Sequence, residues 1–167
     1  MTLFYRVKQF YWALTAELND SDKNFIKVNL NENEFRLFNK LSLQERKHSV
    51  KVAYDVQKIC NDKFKNIDVS LLLKAALLHD VGKVYTKLNI LDKSLLVLGD
   101  KISKGRLKKF CNIKKIKVYY YHPKLGKELL ENIEKNNELL YLVENHHNNR
   151  IKGNLNLDIL RYCDKIN

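Results

Sequence analysis

Alternation of apolar and polar residues at the two-residue period of a half-buried strand is almost absent from this chain, and there are no internal repeats or low-complexity linkers. Those absences remove sheet-based folds and repeat arrays, and the expectation is an all-α protein. Proline occurs once, at Pro123, where it predicts the first turn of a helix, the position at which a missing N–H costs nothing. Cysteine occurs three times, Cys60, Cys111 and Cys163, without a C-x-x-C pair. That argues against a disulfide framework or a zinc–thiolate site and fits a reducing compartment. No apolar run approaches the roughly 20 residues of a membrane span. The N-terminal Met1-Thr2-Leu3-Phe4-Tyr5-Arg6 lacks the basic-then-apolar layout of a signal peptide. A cytoplasmic protein with no membrane span is the expectation.

What is present is enough for one globular domain: 167 residues, 45% of them apolar and spread along the chain. The net charge is +12, from 31 basic against 19 acidic residues. Such an excess favours polyanionic partners: nucleotides, nucleic acid or an anionic membrane surface. Lys, Asn and Ile are abundant throughout, so charge alone supports a small phosphorylated substrate without identifying it.

Helical spacing recurs in order along the chain. Phe4, Val7, Phe10, Tyr11, Leu14 and Leu18 form one apolar face, and Asn19 to Asp22 break it with ready N-caps. Phe25, Ile26 and Val28 predict a short helix, and Asn31 caps another with Phe35, Leu37, Phe38 and Leu41 inward. Residues 1–41 therefore read as a helical N-terminal extension packed on a main domain at 42–167. Ser42 and Glu45 have the spacing of a capping box and open a long helix to about Asn61. Asp68 and Ser70 offer caps for the apolar run Leu71 to Leu78, and Asn89 to Gly99 reads as the next helix. Residues 99–118 are dominated by lysine, interrupted by Gly99 and Gly105, and read as a mobile basic connection on the surface. Helices are expected from Pro123 to Ile133, from Leu139 to His147 and from Leu155 to Ile166.

The chemistry concentrates at Leu77-Leu78-His79-Asp80-Val81-Gly82-Lys83. An imidazole beside a carboxylate at the end of an apolar helix needs a partner, because burying either without one is costly. Gly82 can end that helix. The chain has four more histidines, His48, His122, His146 and His147, which with His79, Asp80 and Asp164 make seven nitrogen and oxygen donors. Seven exceeds the three or four protein ligands of a single catalytic zinc and suits two cations sharing a carboxylate. Imidazole and carboxylate without thiolate point to two divalent transition metals, iron, manganese, nickel or zinc.

The order His48, His79-Asp80, His122, His146-His147, Asp164 resembles the HD-domain metal-dependent phosphohydrolases. His79-Asp80-Val81-Gly82-Lys83 is similar to the "HDIG" form of their signature, and Leu160-Arg161-Tyr162-Cys163-Asp164 to their final-aspartate helix. The resemblance covers roughly residues 42–167 and implies an HD-like helical bundle. It further implies that His48, His79, Asp80 and Asp164 hold one metal, and that His122, His146 and His147 hold a second, with Asp80 bridging. Lys83 would then contact a substrate phosphate oxygen, with Lys124 and Arg150 adding positive charge around it. The implied activity is hydrolysis of a phosphoester in a nucleotide or a linear or cyclic dinucleotide. The Gly-Tyr-Pro signature of the HD-GYP branch is missing: Asn148-Asn149-Arg150-Ile151-Lys152-Gly153-Asn154 follows the double histidine. Gln44 and Glu45 stand where some members of that branch carry a glutamate for a third metal. Two other readings remain at this point, a non-catalytic HD-like nucleotide-binding or signalling module, and nucleic-acid binding by the lysines of residues 101–117.

Overall fold

Asparagine opens four of the helices. The computed structural model describes residues 17–63, 67–86, 88 and 90–167. The helix expected over Leu3–Leu18 falls, but for its last two residues, outside them. Asn19 accepts from the Asp22 N–H and opens α1 (Asp20–Asn29); Asn31 does the same through Glu34 for α2 (Glu32–Phe38). In both, the acid at the third position returns a bond to the N–H of the capping residue, a reciprocal arrangement that satisfies two orphan donors at once. Ser42 Oγ accepts from the Glu45 N–H at 3.3 Å at the start of α3 (Leu43–Lys63). Asp68 caps α4 (Val69–Leu78) through the Leu71 N–H. A 3₁₀ turn, Val81–Tyr85, leads to α5 (Ile90–Ile102), and a second, Arg106–Phe110, leads to α6 (Lys114–Leu130). Asn136 opens α7 (Asn137–Asn145) and Asn154 opens α8 (Leu155–Ile166). Among the described residues there is no strand, so the protein is all-α.

The apolar helix α4 is the centre. Leu71, Leu72, Leu73, Ala75, Ala76, Leu77 and Leu78 are all buried, which is what a helix apolar on every side requires. It packs against α1, α2, α3, α7 and α8. Ile26, Leu30, Leu37, Phe38 and Leu41 belong to the same core as α4. The third-position acids of the first two helices strengthen this attachment: Asp22 meets Lys47 at 2.5 Å, and the fully buried Glu34 meets Lys74 at 2.9 Å. Lys74 also reaches Glu134 at 3.3 Å.

Two expectations need correction. Pro123 does not begin a helix; it sits in the interior of α6. A proline there lacks the N–H that would bond the Tyr119 carbonyl four residues back. The ring nitrogen Nδ1 of His122 takes that carbonyl instead, at 3.2 Å, together with that of Val118. The basic segment 99–118 is not a plain connection either, because α5 runs on to Ile102, the second 3₁₀ turn follows and α6 starts at Lys114. Lysine is a good helix former, and Ile116 buries against Leu88 and Leu96 while Leu107 and Cys111 pack beside them.

Candidate metal centre

The last turn of α4 delivers His79 and Asp80 into the interior, where both are buried. Gly82 then holds the following turn against α6, in a manner the sequence does not announce. A methyl group on Gly82 would stand 2.0 Å from the His122 carbonyl oxygen and 2.7 Å from the Gly126 nitrogen. The positive-φ glycines among the described residues are Gly105 and Gly153, so Gly82 is needed for close approach rather than for a left-handed turn that ends the helix. That contact of backbone on backbone brings the His79-Asp80 corner against the turn of α6 that bears His122.

Three histidines are oriented in one way. His79 Nδ1 donates to the Ala76 carbonyl at 2.8 Å, His122 Nδ1 to those of Val118 and Tyr119, and His146 Nδ1 to that of Val143 at 2.7 Å. A carbonyl can only accept, so each Nδ1 carries a proton and each Nε2 is left as the inward atom. The Nε2 atoms of His79, His122 and His146, with Oδ1 of Asp80, are buried without a hydrogen-bond partner. Orphans of this kind are rare in proteins, and four that converge are a donor set suited to a cation.

Asp80 lies between two sets of rings. Its Oδ1 is 3.3 Å from His122 Nε2 and 4.0 Å from His146 Nε2. Its Oδ2 is 3.4 Å from His79 Nε2, 3.8 Å from His48 Nε2 and 2.5 Å from the Lys83 ammonium. On the second side Asp164 Oδ1 stands 3.1 Å from His48 Nε2 and 3.6 Å from His79 Nε2, and its Oδ2 lies 3.7 Å from His147 Nδ1. Donor atoms within 4.8 Å of one another form three overlapping groups: His48, His79 and Asp164; His122, His146 and His147; His79, Asp80 and His146.

The charges suit these groups. Burial would raise the Asp80 carboxyl, but the Lys83 ammonium and the His79 ring hold it well below the usual carboxylate range. Asp164 is likewise ionised: burial opposes this, and His48 and His79 outweigh it. Burial, reinforced by neighbouring rings, keeps His146 neutral and pushes His147 down to about 4. His79 goes the other way, up to about 9, because Asp80 and Asp164 overcome the burial that would lower it. Asp80 and Asp164 as carboxylates, and His146 and His147 as neutral rings, are in the donor states a divalent cation requires, whereas a cation at His79 must displace its Nε2 proton.

All seven residues expected as ligands are thus within one cluster. Lys83 is there too, but its ammonium faces Asp80 and stands 3.5 Å from the Glu45 carboxylate. Lys124 and Arg150 have exposed side chains and take no part in the contacts that tie the cluster together.

Arg161 is a residue that sequence reasoning passed over. From α8, one turn before Asp164, Nη1 donates to the Ile151 carbonyl at 3.0 Å and Nη2 to those of Asn145, at 3.1 Å, and Asn148. Its guanidinium therefore closes the turn that carries His146 and His147, doing for the last carbonyls of α7 what a C-cap does. The one available signal was a long cation at fixed distance from the last aspartate. Arg161→Met is expected to cost about 2–3 kcal/mol, because several carbonyls lose a charged donor. Amide exchange should accelerate over residues 145–151, with Arg161→Lys intermediate. A Met variant with wild-type stability in urea would refute that role.

The helical bundle thus carries a buried histidine–carboxylate cluster able to hold a metal ion. Residues 46–167 match the HD domain, and the chain belongs to that family. Its members are typically metal-dependent hydrolases. Comparison with curated proteins, and with solved structures, finds no match.

Proposed function

We propose that the protein is a phosphohydrolase with a dinuclear metal centre, acting on a phosphoester of a nucleotide or a linear or cyclic dinucleotide. The observation that carries this reading is Asp80, whose two oxygens face two separate sets of imidazoles. His48, His79 and Asp164 would hold one divalent transition metal, His122, His146 and His147 the other, and Asp80 both. Such ions, when bound, supply Lewis-acid charge for the phosphoryl group and acidify water. The chain itself sets the rings of His79, His122 and His146 through backbone carbonyls, keeps the carboxylates ionised and excludes bulk water from His79, Asp80 and His146. Lys83 lies at the edge of the cluster, where its ammonium can pass from Asp80 to a phosphate oxygen as negative charge builds. Lys124 and Arg150 are proposed as outer contacts to the substrate.

The direct test is turnover by the metal-loaded protein on a panel of cyclic dinucleotides, dinucleoside polyphosphates and nucleoside monophosphates. Hydrolysis of none, with tight binding of one, would favour the nucleotide-binding module instead. With a substrate in hand, Lys83→Met should lower kcat by roughly 10–1000-fold, the range for losing one preorganised donor. KM should change less, and metal content should stay at the wild-type level. Wild-type turnover in that variant would return Lys83 to a purely charge-balancing role beside Asp80.

A further inference from the structure

The helix α5 has two faces of different fate. Leu96 is buried in the small cluster with Leu88 and Ile116. Leu95, Leu98 and Ile102 are 68, 54 and 73% exposed, and their spacing of three and four sets them on one face. Phe110 and Ile113, 56 and 50% exposed, follow in the next two turns of chain. Apolar side chains this exposed and this close together in the chain mark a contact surface rather than scatter.

Charge lies beside them in the chain. Eight basic residues lie between 101 and 117, all exposed, with no acid among them, and Asp100 comes just before. Asp100 accepts from the Tyr120 hydroxyl, and Asp92, nearby on α5, is paired with Lys115 at 2.7 Å. The surplus is therefore positive.

We propose that this surface docks the protein on an anionic lipid bilayer, with Leu95, Leu98 and Ile102 entering the boundary between headgroups and acyl chains. A second copy of the chain would bring the same cations face to face, which like-charge repulsion opposes. A nucleic acid would be met by several aromatic stacking platforms, whereas apart from Phe110 the exposed large apolar residues of this surface are aliphatic. Protein interfaces are depleted in lysine. Lysines around protruding aliphatics are instead the pattern of a helix lying in the membrane plane, with the stems of the lysines on the apolar side and their ammonium groups at lipid phosphates.

The test is sedimentation of the full chain with vesicles of phosphatidylcholine alone or mixed with phosphatidylglycerol, in the absence of any nucleotide. The inference does not depend on the metal centre, and a chain that hydrolyses nothing could still bind. Wild-type protein should pellet with the mixed vesicles and not with the neutral ones, and added salt should release it. Leu95→Ser, Leu98→Ser and Ile102→Ser together should weaken binding by at least about tenfold while melting temperature and helix content stay unchanged. Lys104→Gln with Lys109→Gln should weaken it too, with the larger loss at low salt. Failure to pellet with anionic vesicles would overturn the proposal. So would undiminished pelleting of the serine variant, or its loss of a wild-type dimer. Binding of long RNA in preference to vesicles, unaffected by the serine changes, would assign the surface to nucleic acid instead.

Discussion

Asp80→Asn is expected to lose metal from both sets of histidines and to lower turnover by more than about 1000-fold, because a single carboxylate is proposed to serve both sides. The replacement has nearly the same shape, so packing is not the cause. Charge is: the amide cannot neutralise Lys83, which stands 2.5 Å from Oδ2, nor His79 at 3.4 Å. Removing one partner from a buried ionic group costs about 3–5 kcal/mol, and the metal-free protein should show a loss of that order in urea. Asp80 is depressed in the folded state, so its contribution is complete above the unfolded carboxyl value near 3.8 and lost as pH falls through the lower folded value. Variant and wild type should therefore differ most at neutral pH and converge in strong acid. Elemental analysis that found the wild-type metal content in Asp80→Asn would remove the bridging proposal.

Gly82→Ala, a change of one methyl group, is expected to do nearly as much by a different route. The added carbon would fall 2.0, 2.7 and 2.8 Å from backbone atoms of His122 and Gly126, and none of these belongs to a side chain able to swing aside. The turn must lift from α6. Overpacking of a core typically costs about 1–3 kcal/mol, and a clash with backbone belongs at the upper end or beyond. The lift also widens the 3.3 Å gap between Asp80 Oδ1 and His122 Nε2. Metal bound through His122, His146 and His147 should be lost first, while the set containing His48 and Asp164 keeps its geometry. Misplacement by about 1 Å can cost on the order of 100-fold in rate, so activity should fall even in protein that remains folded. Equal retention of both metals, with wild-type melting, would show that the contact between the two backbones is slack.

Much of this site could be read from the chain because ligand types and helical spacing are local properties. The capping asparagines, the apolar run of α4 and the order of seven donors need no knowledge of what lies across the core. The misreadings share an origin in contacts between distant segments. Gly82 looked like a helix terminator because its neighbours in sequence are visible and the α6 backbone is not. The lysines of 99–118 looked solvated as a group, and all are exposed, but the burial of Ile116 orders the segment around them. The role of Lys83 toward substrate still stands as a proposal, but its place beside Asp80 and Glu45 depends on how α3 approaches the corner, which is not local. Arg161 gave only the weak sign of its spacing from Asp164, since its partners are carbonyl groups that any residue could supply.

Pro123 places helix strength and ring orientation in opposition. An interior proline costs a helix about 3 kcal/mol, so Pro123→Ala belongs among the substitutions that a search for thermal stability would select. Alanine would restore an N–H, and that N–H would compete for the Tyr119 carbonyl on which His122 Nδ1 now rests. The ring would then be held more weakly in the tautomer that points Nε2 at Asp80. Heat tolerance gained at this position would come at the expense of cation affinity, the trade expected where a local defect serves a site.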